Sequence, residues 1–504
     1  MRTTPFQRYE QLKQERQPFL QRAREGVKLT LPFLLPSTDA LPKRTEKSLT
    51  TPYQGIGARG VNHLASKLLL TLLPPNSPFF RLVINEADIP SDAEDDKSTI
   101  EEALARCERV IMTDIETSSL RVMVFEALRH LIVTGNSLLY IAPQGQSSTS
   151  GSRVADSGPA TGGMRVFNLA SYVVRRSPSG AVLEILTQET LVSTGLSPET
   201  LGAEALSGGT PGEESKTLTT HIFLEDGFWH VRQQVGEHIV LDAPKSYPHD
   251  RSPWLPLRLL RMDNESYGRG LVEEYLGDLK TLESLTKSIV EGSSIAAKVL
   301  FLVKPNAITK EKTLADAPNG AVRTGNVADI GVLQVGKYGD FRVAKEMMEH
   351  ISQRLSYAFL LNSSIQRQGE RVTAEEIRHM AGELEDTLGG VYSILSQEFQ
   401  LPLIQRLMYQ MERQGRLPKL PPNLVKPMIV TGLEALGRGY DLLKLQSFVG
   451  DLAQLGQIFP PLLQRVNVDV LVSRLAQARG MSADDLLHPP GTQMTQVPET
   501  QVTQ

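Results

Sequence analysis

Residues 270–291 read GLVEEYLGDLKTLESLTKSIVE. Val272, Tyr275, Leu276, Leu279, Leu282, Leu285 and Ile289 recur at helical spacing, the mark of an amphipathic helix with one face to bury. Strand and turn material follows, from KVLFLVK (298–304) to GVLQVGKYG (331–339). A second helix is expected from Phe341 to about Leu361, with Asp340 as its N-cap and a stripe of Ala344, Met347, Ile351, Leu355 and Ala358. A polar stretch, NSSIQRQGER (362–371), leads into a third and longer helix. The order helix, small β-containing module, helix, polar loop, long helix organises the second half of the chain.

That long helix reads GERVTAEEIRHMAGELEDTLGGVYSILSQEFQ (369–400). Thr373 and Glu376 have the spacing of a capping box. Ile377, Ala381, Leu384, Leu388, Val391 and Leu395 form a narrow seam for helix packing. Gly382, Gly389 and Gly390 interrupt it, each costing a helix about 1 kcal/mol relative to alanine. The adjacent pair Gly389 and Gly390 reads as a kink point. Glu370, Glu375, Glu376, Glu383, Glu385 and Asp386 outnumber Arg371 and Arg378. The surplus fits an ordinary solvated face, or a surface that meets a polyanion without holding it.

The first half has a different texture. RYEQLKQERQPFLQRAREGVKLTL (8–31) is helix-like, within a region punctuated by proline, and FFRLVI (79–84) looks like a strand. Residues 98–141 carry two helices, the second passing into a strand. YVVRRSPSGAVLEILTQETLV (172–192) is a hairpin turning at Pro178, Ser179 and Gly180, and further strands lie around Ile222 and Trp229. The Gly/Ser/Pro-rich stretches 143–164 and 193–216 read as exposed insertions. The fold class is therefore α+β, predominantly helical.

Composition narrows the function. The chain has 504 residues, room for roughly three domains. A net charge of −4 argues against gripping nucleic acid through bulk charge. Cys107 stands alone, so no intramolecular disulfide forms and a reducing compartment is expected. The N-terminus is polar and charged, and no apolar run reaches the ~18 residues of a membrane span, so a soluble protein is expected. GIGARG (55–60) has dinucleotide-type glycines, but the polar EKSLTTPYQ before it is no buried strand. Close helix packing at Gly57 and Gly60 is the better reading. No GxxxxGK[ST], HExxH, CxxC or GxSxG occurs, and the histidines show no metal-ligand spacing. The acidic run EADIPSDAEDD (86–96) lacks the glycine turn and terminal glutamate of a calcium loop. No catalytic residue, metal or cofactor is expected.

Four long blocks carry a resemblance: YQGIGARGVNHLASKLLLTLLPP (53–75), ESYGRGLVEEYLGDLKTLESL (265–285), QGERVTAEEIRHMAGELEDTLGGVYSILSQEFQLPLI (368–404) and TGLEALGRGYDLLKL (431–445). They resemble the portal, or head-to-tail connector, protein of short-tailed, podovirus-type bacteriophages. The resemblance implies a portal fold assembled as a homo-oligomeric ring, typically a dodecamer, at one capsid vertex. A wing would span 1–265, stem helices 266–292 and 340–361, a clip 293–339 and a tunnel loop 362–372. A long kinked helix and its connection would span 373–430, crown helices 431–487 and a disordered tail 488–504. Gln366, Arg367, Gln368 and Arg371 would face double-stranded DNA in the channel, and Gly389 and Gly390 would bend the helix behind it. The clip is locally basic, and Lys304, Lys310, Lys312 and Arg323 are its candidates for partner docking.

The implied role is a conduit for genome packaging and ejection, a platform for terminase and tail adaptor, and an initiator of procapsid assembly with the major capsid and scaffold proteins. The ring would be assembled in the host bacterial cytoplasm and end in the virion, with no membrane span. The alternative is a nucleic-acid-processing enzyme with an unrecognised active site. The missing phosphate loop and scattered metal-ligand types count against it.

Overall fold

The computed structural model describes residues 4–35, 51–75, 78–84, 97–141, 164–191, 216–236, 238–296, 300–305, 310, 312, 316, 318, 320–333, 338–361, 390–418, 420, 425–429, 447–452 and 471. The chain divides into two compact units. One comprises residues 1–70, 110–368 and 388–420; the other comprises 71–109, 369–387 and 421–504.

The first unit is built on helix α1 (Pro5–Leu29). Thr4 and Gln7 cap it reciprocally, each side chain accepting the other's backbone N–H at 3.3 Å. Pro18 lies inside the helix without ending it. Tyr9 and Leu12 of α1 pack with Val173 and Leu186 of an antiparallel meander. The meander runs in the order β4 (Tyr172–Arg176), β5 (Val182–Leu191), β6 (Lys216–Glu225), β7 (Phe228–Val235), β8 (His238–Pro248). The turns fall where the sequence places them. Gly180 takes a φ of 90° between β4 and β5, and Asp226 and Gly227 take φ of 51° and 79° between β6 and β7, the left-handed pair that a tight hairpin needs. A smaller sheet pairs β3 (Arg165–Phe167) and β9 (Trp254–Arg258) on either side of β2 (Asn136–Tyr140).

Charge ties α1 to the meander. Arg8 and Arg175 ion-pair with Glu184 on β5, which is buried, and His221 Nε2 lies 3.2 Å from the same carboxylate. Burial pushes this carboxyl up, but hydrogen bonds from His221 and Arg8 outweigh it and hold the group at about 2. Deeper in, the Arg16 guanidinium donates to Tyr9 Oη and to the carbonyls of Ala170 and Tyr172.

Ahead of the helical hairpin, two backbones cross. Helix α4 (Leu120–Thr134), which follows α3 (Lys97–Thr117), stops at Gly135, whose φ is 74° and whose N–H donates to the Leu131 carbonyl. A Cβ on Gly135 would sit 2.3 Å from the Arg269 carbonyl carbon, so only glycine fits. Asn136 clamps the crossing: its Nδ2 donates to Gly268 O at 2.8 Å and its Oδ1 accepts from Gly268 N at 2.7 Å.

Beyond the crossing, residues 270–291 are not one helix. A single turn, α5 (Leu271–Glu274), ends at Tyr275, and α6 (Leu276–Ala296) continues. The apolar stripe spans the break: Val272 is fixed against the body, Leu279 and Leu282 are buried beyond it, and α6 gains a further helix as partner. That partner is α7 (Tyr338–Ala358), antiparallel to α6. Arg354 ion-pairs with Asp278 at 2.5 Å, and Thr286 Oγ1, which donates to Leu282 O at 2.7 Å, lies 3.9 Å from Met348 Sδ. Asp340 is not the N-cap, because helical structure already begins at Tyr338. At the tip, β10 (Leu300–Val303) pairs with β11 (Ile330–Leu333).

In the second unit, β1 (Phe80–Ile84) pairs antiparallel with β12 (Val425–Ile429). The buried Glu108 carboxylate accepts the Leu82 N–H at 2.7 Å.

The Glu184 cluster has a pH signature. Its folded pKa lies below the ordinary 4.5, so its contribution is complete above that value and is lost as pH falls towards 2. Glu184→Gln is expected to lower the urea midpoint at pH 7, with the gap to the parent closing between pH 4.5 and 2. A gap that stays constant across that range contradicts the assignment.

Candidate channel and docking surfaces

Of the residues proposed to face DNA, Gln366, Arg367, Gln368 and Arg371 lie outside the described residues, as does Gly389. The structure describes the chain on both sides of them. On the N-terminal side, α7 ends in a turn in which Leu361 N–H donates to Ser356 O and Leu360 N–H to Tyr357 O. This is the helix-ending pattern that places glycine or asparagine in the left-handed region. Here the residue is Leu360, with a φ of 54°, a conformation that costs a branched side chain on the order of 1–2 kcal/mol.

Helix α2 (Ile56–Leu72) compensates. The Leu360 carbonyl accepts from Lys67 Nζ at 3.2 Å, with His63 Nε2 at 3.1 Å. Lys67 is only 4% exposed, so its ammonium meets that carbonyl in a low-dielectric setting, where a charged hydrogen bond is strong. One turn before His63, a Cβ on Gly60 would lie 2.5 Å from the Phe359 ring. Gly60, His63 and Lys67 share one face of α2 and form a cradle for the Phe359–Leu360 turn.

This settles the GIGARG stretch as a helix start. Gln54 Oε1 accepts the Gly57 N–H at 2.9 Å, and a Cβ on Gly57 would lie 2.7 Å from the Leu29 carbonyl oxygen. The backbone amides of Tyr53 and Gln54 donate to the Glu283 carboxylate on α6. Sequence reasoning found the glycines but missed His63 and Lys67. Their spacing from Gly60 was the available signal.

On the C-terminal side, Gly390–Leu395 is helical, with Val391 and Leu395 buried as the seam requires. A Cβ on Gly390 would meet nothing within 4 Å. The helix widens to a π turn at Ser396–Gln400 and continues as α8 (Leu401–Arg413). From the π turn, Glu398 accepts from Arg258 Nη2 at 2.5 Å and Nε at 3.1 Å, with Arg176 Nη1 at 3.6 Å. Burial, set against Glu398, holds the Arg176 guanidinium down to about 10. Arg406 of α8 is buried as well, lying over the rings of Tyr247 and Tyr409.

At the hairpin tip, Lys304, Lys310, Lys312 and Arg323 are all exposed. Apolar side chains stand out beside them: Val322 is 97% and Val327 87% exposed. Among the described residues no group of three His, Cys, Asp or Glu could hold a metal ion, and no helix is long and apolar enough to cross a membrane. A shallow pocket lined by Phe33, Glu126, Arg129, His130 and Asn168 holds no serine, cysteine or lysine. Burial, and then Arg129, push its His130 down to about 4.

The body thus carries a two-helix hairpin with an exposed basic tip. The family model for bacteriophage head to tail connecting protein matches residues 2–487, and the chain belongs to that family. It is 42% identical over 487 residues to the portal protein of Escherichia phage T7, covering 95% of this chain and 87% of that protein. It is 32% identical over 466 residues to the portal protein of Enterobacteria phage SP6, covering 91% and 84%. A chain from the neck of an empty GTA particle, computed with C6 symmetry, aligns over 79% of this chain and 86% of its own at a TM-score of 0.40 and 10% identity. The chain is thus a portal protein, a head–tail connector and a virion component.

The two helix glycines separate by experiment. Gly60→Ala is expected to destabilise the chain by about 1–3 kcal/mol through overpacking against Phe359, whereas Gly390→Ala is expected to stabilise it by up to about 1 kcal/mol. Urea unfolding of both variants checks this. Equal effects would contradict the cradle.

Proposed function

We propose that the chain closes into a ring, a dodecamer at one capsid vertex, through which double-stranded DNA passes during packaging and ejection. The observation that carries the ring is the outer face of α7. Val343, Met347 and Tyr357 share that face and are 58%, 51% and 61% exposed, beside the stripe that buries Ile351 and Leu355, so the apolar band is wider than the intramolecular pairing covers. Val290 on α6 is half exposed too. A hairpin with apolar side chains outside its own pairing suits contact with a second copy, and a closed ring needs two different complementary surfaces per subunit. The ring works without catalysing a reaction.

In this reading 1–265 form the wing, α6 and α7 the stem, 293–339 the clip and 362–372 the tunnel loop, with crown helices in 431–487. The clip docks terminase and then the tail adaptor, using Lys304, Lys310, Lys312 and Arg323. The body meets the major capsid and scaffold proteins as the procapsid forms in the host cytoplasm. Gly389 and Gly390 bend the helix that follows the loop. Arg367, flanked by Gln366 and Gln368, touches the DNA backbone, as guanidinium suits phosphate. Arg371 acts beside it and also pairs structurally. A net charge of −4 keeps the grip weak, and a channel that bound DNA tightly would stall it.

Arg367→Ala is expected to spare ring assembly while lowering the DNA retained in filled heads, with leakage rising with salt. The measurement is DNA content per head. Full heads and unchanged leakage would remove the loop from the DNA path.

A further inference from the structure

We infer that Glu398 is a positioning residue: clamped by Arg258 and Arg176, it holds the π turn at Ser396–Gln400 and so sets the rotational register of helix 390–395 against the body. Three observations converge on it.

The first is the turn itself. A π turn carries one residue more than an α turn. Relaxing it to α would rotate the helix before it by one residue, about 100°. Val391 and Leu395 are buried in the present register, and such a rotation would take both out of the core. The width of this turn therefore decides which face helix 390–395 turns to the core.

The second is the clamp. Arg258 on β9 is 2% exposed and Arg176 on β4 4% by side chain, while the Glu398 side chain is 20% exposed. Arg176 is held independently, donating to Gly180 O at 3.0 Å and Pro256 O at 2.7 Å. Arg261 closes the far side, donating to Ser179 O at 2.7 Å. Arg176 is thus held by the body independently of the carboxylate, while Arg258 directs its guanidinium to Glu398. The helix has to place Glu398 where they are, and the wide turn does so.

The third is energetic. Exchanging a buried ion cluster for apolar residues of similar volume is often neutral or stabilising, whereas removing one partner alone is costly. A cluster of two buried arginines on one carboxylate is therefore a poor way to gain stability and a good way to specify one arrangement. The neighbouring Phe399 and Gln400 are buried against the body, so the clamp works at the point where the helix is already fixed.

The test uses the full-length chain in two variants, Glu398→Gln and the combined Arg176→Met/Arg258→Met/Glu398→Met. The readouts are thermal unfolding, ring formation, amide hydrogen exchange over 390–400, and DNA content of heads. The triple variant is expected to unfold close to or above the parent temperature and to form rings. Its exchange over 390–400 should rise at least tenfold and its heads should fill less. Glu398→Gln should show the same exchange change with a lowered unfolding temperature. Exchange and filling equal to the parent in the triple variant would overturn the inference. So would a triple variant that cannot fold, since the cluster would then be structural alone. The filling readout rests on the portal reading, and the exchange readout does not. A failure of that reading would show as a parent chain that fills no heads.

Discussion

The place where the Gly268–Gly270 segment crosses the end of α4 fixes where the helical hairpin that follows it begins. Two main chains pass within a distance that excludes a Cβ at Gly135, and Asn136 holds them with two hydrogen bonds. A contact made by backbone cannot slide as side-chain packing can, because each hydrogen-bonding group has one register in which it is satisfied. Leu271 and Val272 are buried immediately beyond it, and the Tyr275 break then sends α6 outwards. The start of the α6–α7 hairpin is thereby set by the body, while its own pairing is left to the α6–α7 contacts.

Three buried cations of the body share a setting that the Glu184 cluster on β5 does not. Arg16 meets carbonyls of the sheet margin, Lys67 meets the carbonyl of a left-handed leucine, and Arg258 meets the carboxylate of a π turn. None of these stations lies in the middle of a regular element's own hydrogen-bond ladder. Each sits where backbone geometry departs from α or β and where carbonyls or turns need outside help. Two of the three bracket the segment expected to face DNA. The body thus fixes Leu360, before that segment, and Glu398, further along the chain after it, with charge-assisted bonds, while Tyr9 and Leu12 pack against Val173 and Leu186 in the apolar core.

Much of this was legible in the sequence because it depends on local signals. The α6–β10–β11–α7 order followed from apolar periodicity, the β4–β5 turn from Pro178 to Gly180, and the helical nature of GIGARG from the polar residues before it. What was missed depends on tertiary context. The break at Tyr275 leaves the helical stripe intact, so periodicity does not reveal it. Asp340 looks like a cap, but helix begins at Tyr338. The pairing of β1 with β12 joins segments far apart in sequence, which no local pattern encodes. The π turn adds a single residue and is invisible to a search for 3.6-residue spacing, and Lys67 looks like any helix-surface lysine until Leu360 is seen beneath it. Of the candidate site, the exposure of Lys304, Lys310, Lys312 and Arg323 was readable from the polar, turn-rich sequence around them, and the roles of Lys67 and Glu398 were not.

The central claim is that this subunit functions as a member of a closed ring, and direct imaging of the purified full-length protein tests it best. Electron micrographs, with particle masses measured alongside, are predicted to show closed rings with an axial opening and a mass about twelve times the 55.6 kDa chain. A protein that stays monomeric at micromolar concentration across a range of salt, or that forms open filaments without closure, would contradict the account.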